Sequence, residues 1–184
     1  MRRFERYLPT LQLKQQQLQI EIRHMEAKID AKRIEEQKAR ADLDQWVKLY
    51  SESFPFEDYL RLEKIHRSTT NIAGVTIPVM ERVVFDRREP DLFGTPPWID
   101  EGMRTLELLI RLRLERSFME IAHRLLLAEL RTTTQRVNLF EKVKIPDARE
   151  NIRIIRIFLG DQQTAEVARA KIAKNKTAEA ELAR

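Results

Sequence analysis

The feature that most constrains this sequence is a long stretch without proline or glycine, residues 10–54, bounded by Pro9 and Pro55. As a single helix it would extend about 68 Å at about 1.5 Å per residue, which is longer than a small compact domain needs. Ala, Glu, Lys, Leu and Arg together supply 90 of the 184 residues, a composition typical of long helices and coiled coils. With only 4 glycines, the sequence disfavours all-β and dinucleotide-binding folds, which need many glycine-rich turns.

The first stretch carries the apolar spacing of a coiled-coil seam. Alternating steps of four and three residues from Leu18 to Tyr50 select ten positions, of which eight are apolar. Lys32 and Glu36 are the two charged exceptions. As an i,i+4 pair they are expected to satisfy each other in part, so we interpret them as a tolerated break in the seam rather than as a binding site.

A second stretch without proline or glycine runs over residues 103–145 and has the same four-three spacing. Pro146 follows it and predicts a kink, because proline removes one backbone hydrogen bond of a helix and clashes with the preceding turn. On the two stretches together, the predicted seam residues include Ile22, Met25, Ile29, Leu43, Trp46, Phe118 and Leu125.

Between the two stretches, residues 69–102 hold three of the four glycines and most of the prolines. Val75, Ile77 and Val79 alternate with other residues, which predicts a short β-hairpin. The expected fold is therefore mainly all-α: a long antiparallel two-helix coiled coil with a small β-hairpin knob at its turning end. Its expected parts are a first helix over residues 1–68, a middle region over 69–102, and a last helix over 103–184 that is kinked near Pro146.

The side chains predict no catalytic residue, cofactor or metal site. The sequence has no cysteine and no phosphate-binding glycine loop, and its 3 histidines lack metal-ligand spacing. A net charge of +5 arises from 34 basic and 29 acidic residues spread along the chain, which favours a salt-bridged helix surface. The longest apolar run has four residues, far below the roughly 20 of a membrane-spanning helix. The alternative left open by the charge is a basic coiled-coil scaffold that binds nucleic acid or an anionic membrane surface.

Residues 136–146, RVNLFEKVKIP, resemble the second-helix signature of the D subunit of V-type and A-type rotary ATPases. This sequence departs from the family pattern at Gln135, Leu139 and Phe140, where the family usually has other residues. The matching positions are Arg136, Val137, Asn138, Glu141, Ile145 and Pro146.

The resemblance implies a non-catalytic central-stalk rotor subunit that couples ATP hydrolysis or synthesis to rotation of a membrane ring and to proton or sodium ion transport. It implies as partners the A and B subunits of the catalytic hexamer, the F subunit, and the C subunit at the foot, with no nucleic acid and no direct membrane insertion. The expected location is peripheral, on the cytoplasmic face of the membrane, within the ATPase complex.

Both chain ends are expected to enter the hexamer. Antiparallel pairing is expected to bring the interface positions on the first and last helices together. These positions are Leu11, Lys14, Gln15, Leu18, Arg169, Lys171, Lys174 and Lys176.

Overall fold

The computed structural model describes residues 2–44, 55–91, 94–96 and 98–182. The expected fold class, a mainly helical coiled coil with a small β-hairpin, is confirmed. In chain order the elements are α1 (Arg2–Asp44), α2 (Phe56–Tyr59), β1 (Leu60–Ile72), β2 (Val75–Arg87), α3 (Ile99–Leu139), a π-helical segment (Phe140–Lys144) and α4 (Ile145–Leu182).

The chain forms two compact units. One comprises Leu13–Thr134, and the other combines Met1–Gln12 with Gln135–Arg184. Trp46, predicted on the seam, lies outside the described residues, and the side chain of Leu43 is likewise not described.

In the Leu13–Thr134 unit, α1 and α3 pair antiparallel. Lys14 Nζ lies 2.6 Å from Glu129 Oε1, whereas Lys32 Nζ, further along α1, lies 3.0 Å from Glu115 Oε2, nearer the start of α3. The four-three steps from Leu18 to Ala39 fall on buried or partly buried side chains of α1. The heptad spacing of α1 therefore faces α3, as a coiled-coil seam requires.

The seam of α3 lies on a different set of positions from the predicted one. Leu125 is 41% exposed, and Phe118 is partly buried. The buried positions of α3 are instead Ile99, Met103, Leu112, Ala122, Leu126, Thr133 and Val137. The prediction for Leu125 is wrong because the buried stripe runs through the adjacent Leu126, and in a run of three leucines apolar spacing alone does not select one stripe.

Strands β1 and β2 form an antiparallel two-stranded sheet closed by Ala73 and Gly74, both with positive φ (51° and 81°). Two consecutive residues with positive φ match the twist of a tight hairpin. The side-chain oxygen of Asn71 accepts a hydrogen bond from the Gly74 N–H at 3.0 Å. Pro78 has no N–H to donate, but β2 tolerates it because each strand of a two-stranded sheet has one edge without a neighbouring strand.

The sequence predicts that residues 60–68 belong to the first helix. This prediction is wrong, because strand β1 begins at Leu60. Two register shifts, between Leu62 and Lys64 and between His66 and Arg67, interrupt the pairing of the hairpin. Such irregularities break the alternation of inward and outward side chains. For this reason the first half of the hairpin lacks the period-two pattern by which a strand is recognised in sequence.

The tip of the hairpin packs against the helix pair. Ile77 is 2% exposed and shares one hydrophobic core with Leu18 and Ile22 of α1 and with Ala122 and Leu126 of α3. The hairpin thus lies against the middle of α1.

In the unit formed by Met1–Gln12 and Gln135–Arg184, the π-helical segment lies directly before Pro146. The Ile145 N–H bonds to the Phe140 carbonyl oxygen, five residues back. Pro146 has no N–H to donate to Lys142, and its ring would clash with the carbonyl of that residue in a regular α-helix. A wider turn relieves this clash, so the segment occurs where the sequence predicts a kink.

The same unit is joined by a few contacts near the start of α1. The rings of Phe4 and Phe140 meet edge to face at 5.4 Å, and Arg149 lies 3.7 Å from Glu5. Val137 and Ile145 are buried. From residue 153 to 178, every residue of α4 is exposed.

Candidate interaction surfaces

Charged side chains bridge the seam between α1 and α3. The Glu36 side chain is 7% exposed. Its Oε2 lies 3.1 Å from Arg116 Nε, and its Oε1 accepts a hydrogen bond from Arg40 Nη2 at 3.0 Å. One turn earlier, Lys32 Nζ reaches Glu115 Oε2. We call Lys32, Glu36, Glu115 and Arg116 the seam cluster.

The seam cluster corrects the expectation that Lys32 and Glu36 pair with each other. Each instead pairs across the seam with a residue of α3. Because both positions face α3, the opposite charges at positions 115 and 116 are within reach. The sequence indicated two charges in the seam, and their partners would have been found by matching charges at a fixed antiparallel register.

Lys32 also donates a hydrogen bond to Glu35 at 2.8 Å. The hydrogen bonds with Glu35 and Glu115 raise the pKa of Lys32 above its ordinary value of 10.5. The ammonium group is therefore charged throughout the neutral range. Glu36 is the buried member of the seam cluster, whereas the side chains of Lys32 and Glu115 are 26% and 27% exposed. Because a buried charge is costly without its partner, the pair of Glu36 with Arg116 favours one register of α1 on α3.

Several predicted interface residues of α1 are engaged within the chain. Lys14 pairs with Glu129, and Gln15 Nε2 donates a hydrogen bond to Thr134 Oγ1 at 3.0 Å. The side-chain partners of Lys14 and Gln15 are thus residues of α3, and the expected place of these two residues in a hexamer interface stays a prediction.

Leu18 has no exposed surface, because it lies in the core shared with the hairpin. Its predicted place in an interface stays a prediction, and in this conformation the core covers its side chain. Leu11 is partly buried, and Arg169, Lys171, Lys174 and Lys176 are exposed on α4.

The signature residues surround the π-helical segment. Val137 and Ile145 are buried on either side of it, and Glu141 lies within it. Arg136, Asn138 and Pro146 are exposed. The signature thus combines the residue that disrupts the helix with two apolar residues that pack the unit around the disruption.

Exposed apolar residues follow the signature on α4. They are between 49% and 65% exposed and comprise Ile154, Ile155, Ile157, Phe158 and Leu159. The four-residue spacing of Ile155 and Leu159 is typical of a packed helix face, yet in the described part of the chain both side chains are about half exposed. Over residues 2–44, 55–91, 94–96 and 98–182, no helix is long and hydrophobic enough to cross a bilayer, and no group of acidic or histidine side chains could hold a metal ion.

The fold and these surfaces define a class: a coiled-coil protein with a β-hairpin whose candidate sites are surfaces for other chains. The family model for the D subunit of ATP synthase matches residues 1–175. The chain therefore belongs to the ATP synthase D-subunit family, and the resemblance noted in the sequence is confirmed.

Similar proteins are named as D subunits of V-type ATP synthases. The one from Borreliella burgdorferi is 46% identical over 175 residues, which cover 95% of this chain and 87% of that protein. The one from Chlamydia felis is 32% identical over 95% of this chain and 85% of its own length. That of Chlamydia muridarum is 33% identical over 92% and 85%, respectively. Membership of this family implies that the chain is part of a complex with other subunits.

Proposed function

We propose that the chain is the central-stalk rotor subunit of a V-type ATPase and has no catalytic site of its own. It couples ATP hydrolysis or synthesis in a hexamer of A and B subunits to rotation of a membrane ring, and thereby to transport of protons or sodium ions. The observation that carries this proposal is the match of the D-subunit family over residues 1–175.

The pairing of α1 with α3 supports a mechanical role. A rotor transmits torque through its resistance to twisting, which requires continuous helices whose relative register does not slip. A heptad seam supplies the packing, and the seam cluster penalises slippage. Moving one helix along the other would separate the buried Glu36 from Arg116 and leave it only Arg40 of its own helix.

As partners we propose the A and B subunits of the hexamer, the F subunit, and the C subunit at the foot. The exposed surface of α4 from residue 153 onward is available to such partners, and its apolar part suits a protein interface. The complex would hold the chain at the cytoplasmic face of the membrane as a peripheral subunit. We assign the hexamer contact to Arg169, Lys171, Lys174 and Lys176 of α4, together with Leu11, Lys14 and Gln15 of α1.

Co-expression with the A and B subunits tests this assembly. Native mass spectrometry should find one copy of the chain for three A and three B subunits. Failure to co-purify, or three copies per hexamer, would contradict a single central rotor.

Charge reversal on α4 tests the assigned contact. We expect replacement of Arg169, Lys171, Lys174 and Lys176 by glutamate to lower the recovery of the assembled complex at least about tenfold, because four attractive contacts become repulsive. The control exchanges arginine and lysine at the same four positions, which keeps every charge and should preserve assembly. Full recovery of the glutamate variant would remove these residues from the interface.

A further inference from the structure

Helix α1 carries a second apolar stripe on the face opposite its seam. Leu13, Ile20 and Ile34 are separated by seven and fourteen residues, and they are 56%, 53% and 53% exposed. Single exposed aliphatic side chains are common, but repetition at heptad spacing is typical of a helix-packing surface. We define the outer stripe as Leu13, Ile20, Ala27, Ala31, Ile34 and Ala41, all of which are exposed.

The outer stripe is less apolar than the seam. Gln17, His24 and Lys38 occupy heptad positions between its members, and they too are exposed. A stripe of three large aliphatic residues with alanines and polar residues between them suits a reversible contact rather than a permanent core.

Charged residues flank the outer stripe in a self-complementary order. Consider a second α1 packed antiparallel on the first, with the two-fold axis between residues 25 and 26. Glu21 then faces Lys28 of the second copy on one side of the stripe, and Arg23 faces Asp30 on the other. By symmetry each of these attractive pairs occurs twice.

A parallel arrangement of two copies brings like charges together. At the flanking positions of a parallel pair, Arg23 faces Lys28 and Asp30 faces Glu35. The order of charges therefore specifies direction as well as partner. In the described part of the chain, Glu21, Arg23, Lys28 and Asp30 form no ion pair of their own.

From this complementarity we propose that a second copy of this chain binds the outer stripe antiparallel, so that the free protein forms a two-fold symmetric dimer through α1. The contact uses the Leu13–Thr134 unit alone. It does not depend on the proposed rotor function, and a dimer of the free chain is compatible with one copy per assembled complex.

Sedimentation equilibrium of the full chain tests the dimer. We expect concentration-dependent dimerisation in the wild type. In Lys28→Glu the dissociation constant should be at least about tenfold higher, because two attractive pairs become two repulsive pairs of glutamates. The double variant Glu21→Lys with Lys28→Glu restores opposite charges and should regain the wild-type dissociation constant within about twofold.

A matched control changes the net charge equally away from the stripe. Lys64→Glu, at an exposed position of β1, should dimerise as the wild type does, and circular dichroism should show the same helix content for all variants. A wild-type chain that stays monomeric, a Lys28→Glu variant that dimerises normally, or a double variant that fails to recover would each overturn the proposal.

Disulfide formation tests the direction, since the sequence contains no cysteine of its own. In the antiparallel arrangement, position 20 of one copy faces position 31 of the other. Ile20→Cys with Ala31→Cys should therefore form covalent dimers rapidly under mild oxidation, while Ala31→Cys alone should not. Rapid dimer formation by Ala31→Cys alone would indicate parallel helices and overturn the proposal.

Discussion

At the scale of single residues, Glu36 is the most buried charged side chain in the described part of the chain. Its carboxylate is buried in the seam between Arg40 and Arg116. A buried charge that loses a partner has neither water nor a counterion, so removal of one member of such a group costs more than the group contributes as a whole.

Substitution at position 116 measures this constraint. We expect Arg116→Met to lower the free energy of unfolding by about 2 kcal/mol, since Arg40 can compensate only in part for the lost guanidinium. Urea denaturation followed by circular dichroism gives the value. Glu36→Met added to this variant should recover part of the loss, and a double variant less stable than Arg116→Met would contradict the role of the buried charge.

The pKa of Lys32 predicts a pH dependence in the alkaline range. Its hydrogen bonds with Glu35 and Glu115 raise the pKa in the folded state, so the folded chain holds this proton more tightly than the unfolded chain does. The stabilisation is fully present below pH 10.5, the ordinary pKa, and is lost as the pH rises through the raised value. As the pH rises above 10.5, Lys32→Met should therefore lose less stability than the wild type loses, as measured by the thermal unfolding temperature of each. Identical curves would contradict the assignment.

At the scale of elements, replacement of two glycines by alanine is expected to change stability in opposite directions. Gly74, with φ of +81° in the hairpin turn, has space for a Cβ, whose nearest neighbour would be Lys14 Nζ at 3.6 Å, so the cost of alanine there is backbone strain alone. We expect Gly74→Ala to destabilise the chain by about 1 kcal/mol, as measured by urea denaturation. Gly160, inside α4, has no atom within 4 Å of an added Cβ.

Gly160→Ala should therefore stabilise α4 by about 0.5–1 kcal/mol through helix propensity. Hydrogen exchange of the amides of α4 measures this local effect. Slower exchange in Gly160→Ala is the expected result, and faster exchange would show that the glycine serves a need other than helix formation.

The π-helical segment predicts the effect of Pro146→Ala. Alanine supplies the missing N–H and removes the clash with the Lys142 carbonyl, so the segment should convert to regular α-helix and the free energy of unfolding should rise by about 1 kcal/mol. Backbone chemical shifts over residues 140–146 follow the change. Persistence of the π-helical hydrogen bond from Ile145 to Phe140 would show that packing, and not proline, maintains it.

The elements differ in how well the sequence predicted them, and the reasons are physical. The heptad spacing of α1 was readable because large apolar side chains occupy most of its seam. The seam of α3 was not, because residues 125–127 are all leucine and fit more than one stripe, and of these only Leu126 is fully buried. Strand β1 was assigned to helix over residues 60–68, because the register shifts remove the alternation by which strands are recognised.

The candidate interaction surfaces were predicted less completely than the fold. Which residues of α1 remain available to partners depends on the register of α1 on α3 and on the hairpin that covers Leu18, and neither follows from the spacing of apolar residues. The seam cluster was visible as two anomalous charges, but its partners lie about 80 residues away in the sequence.

At the scale of the whole molecule, the family match covers residues 1–175 and thus nearly the entire chain. The described residues include an α4 that is exposed from residue 153 to 178 and a helix pair with a buried ion pair in its seam. Both features suit a subunit that transmits motion between partners while the chemistry takes place in those partners.

Direct observation of rotation tests this central claim. The sequence has no cysteine, so Glu89→Cys, at an exposed position after the hairpin, provides a unique attachment point for a bead on a complex immobilised through its A and B subunits. We predict stepwise rotation in one direction when ATP is added and none when a non-hydrolysable analogue replaces it. Continued ATP hydrolysis with a bead that shows no directed rotation would contradict the account.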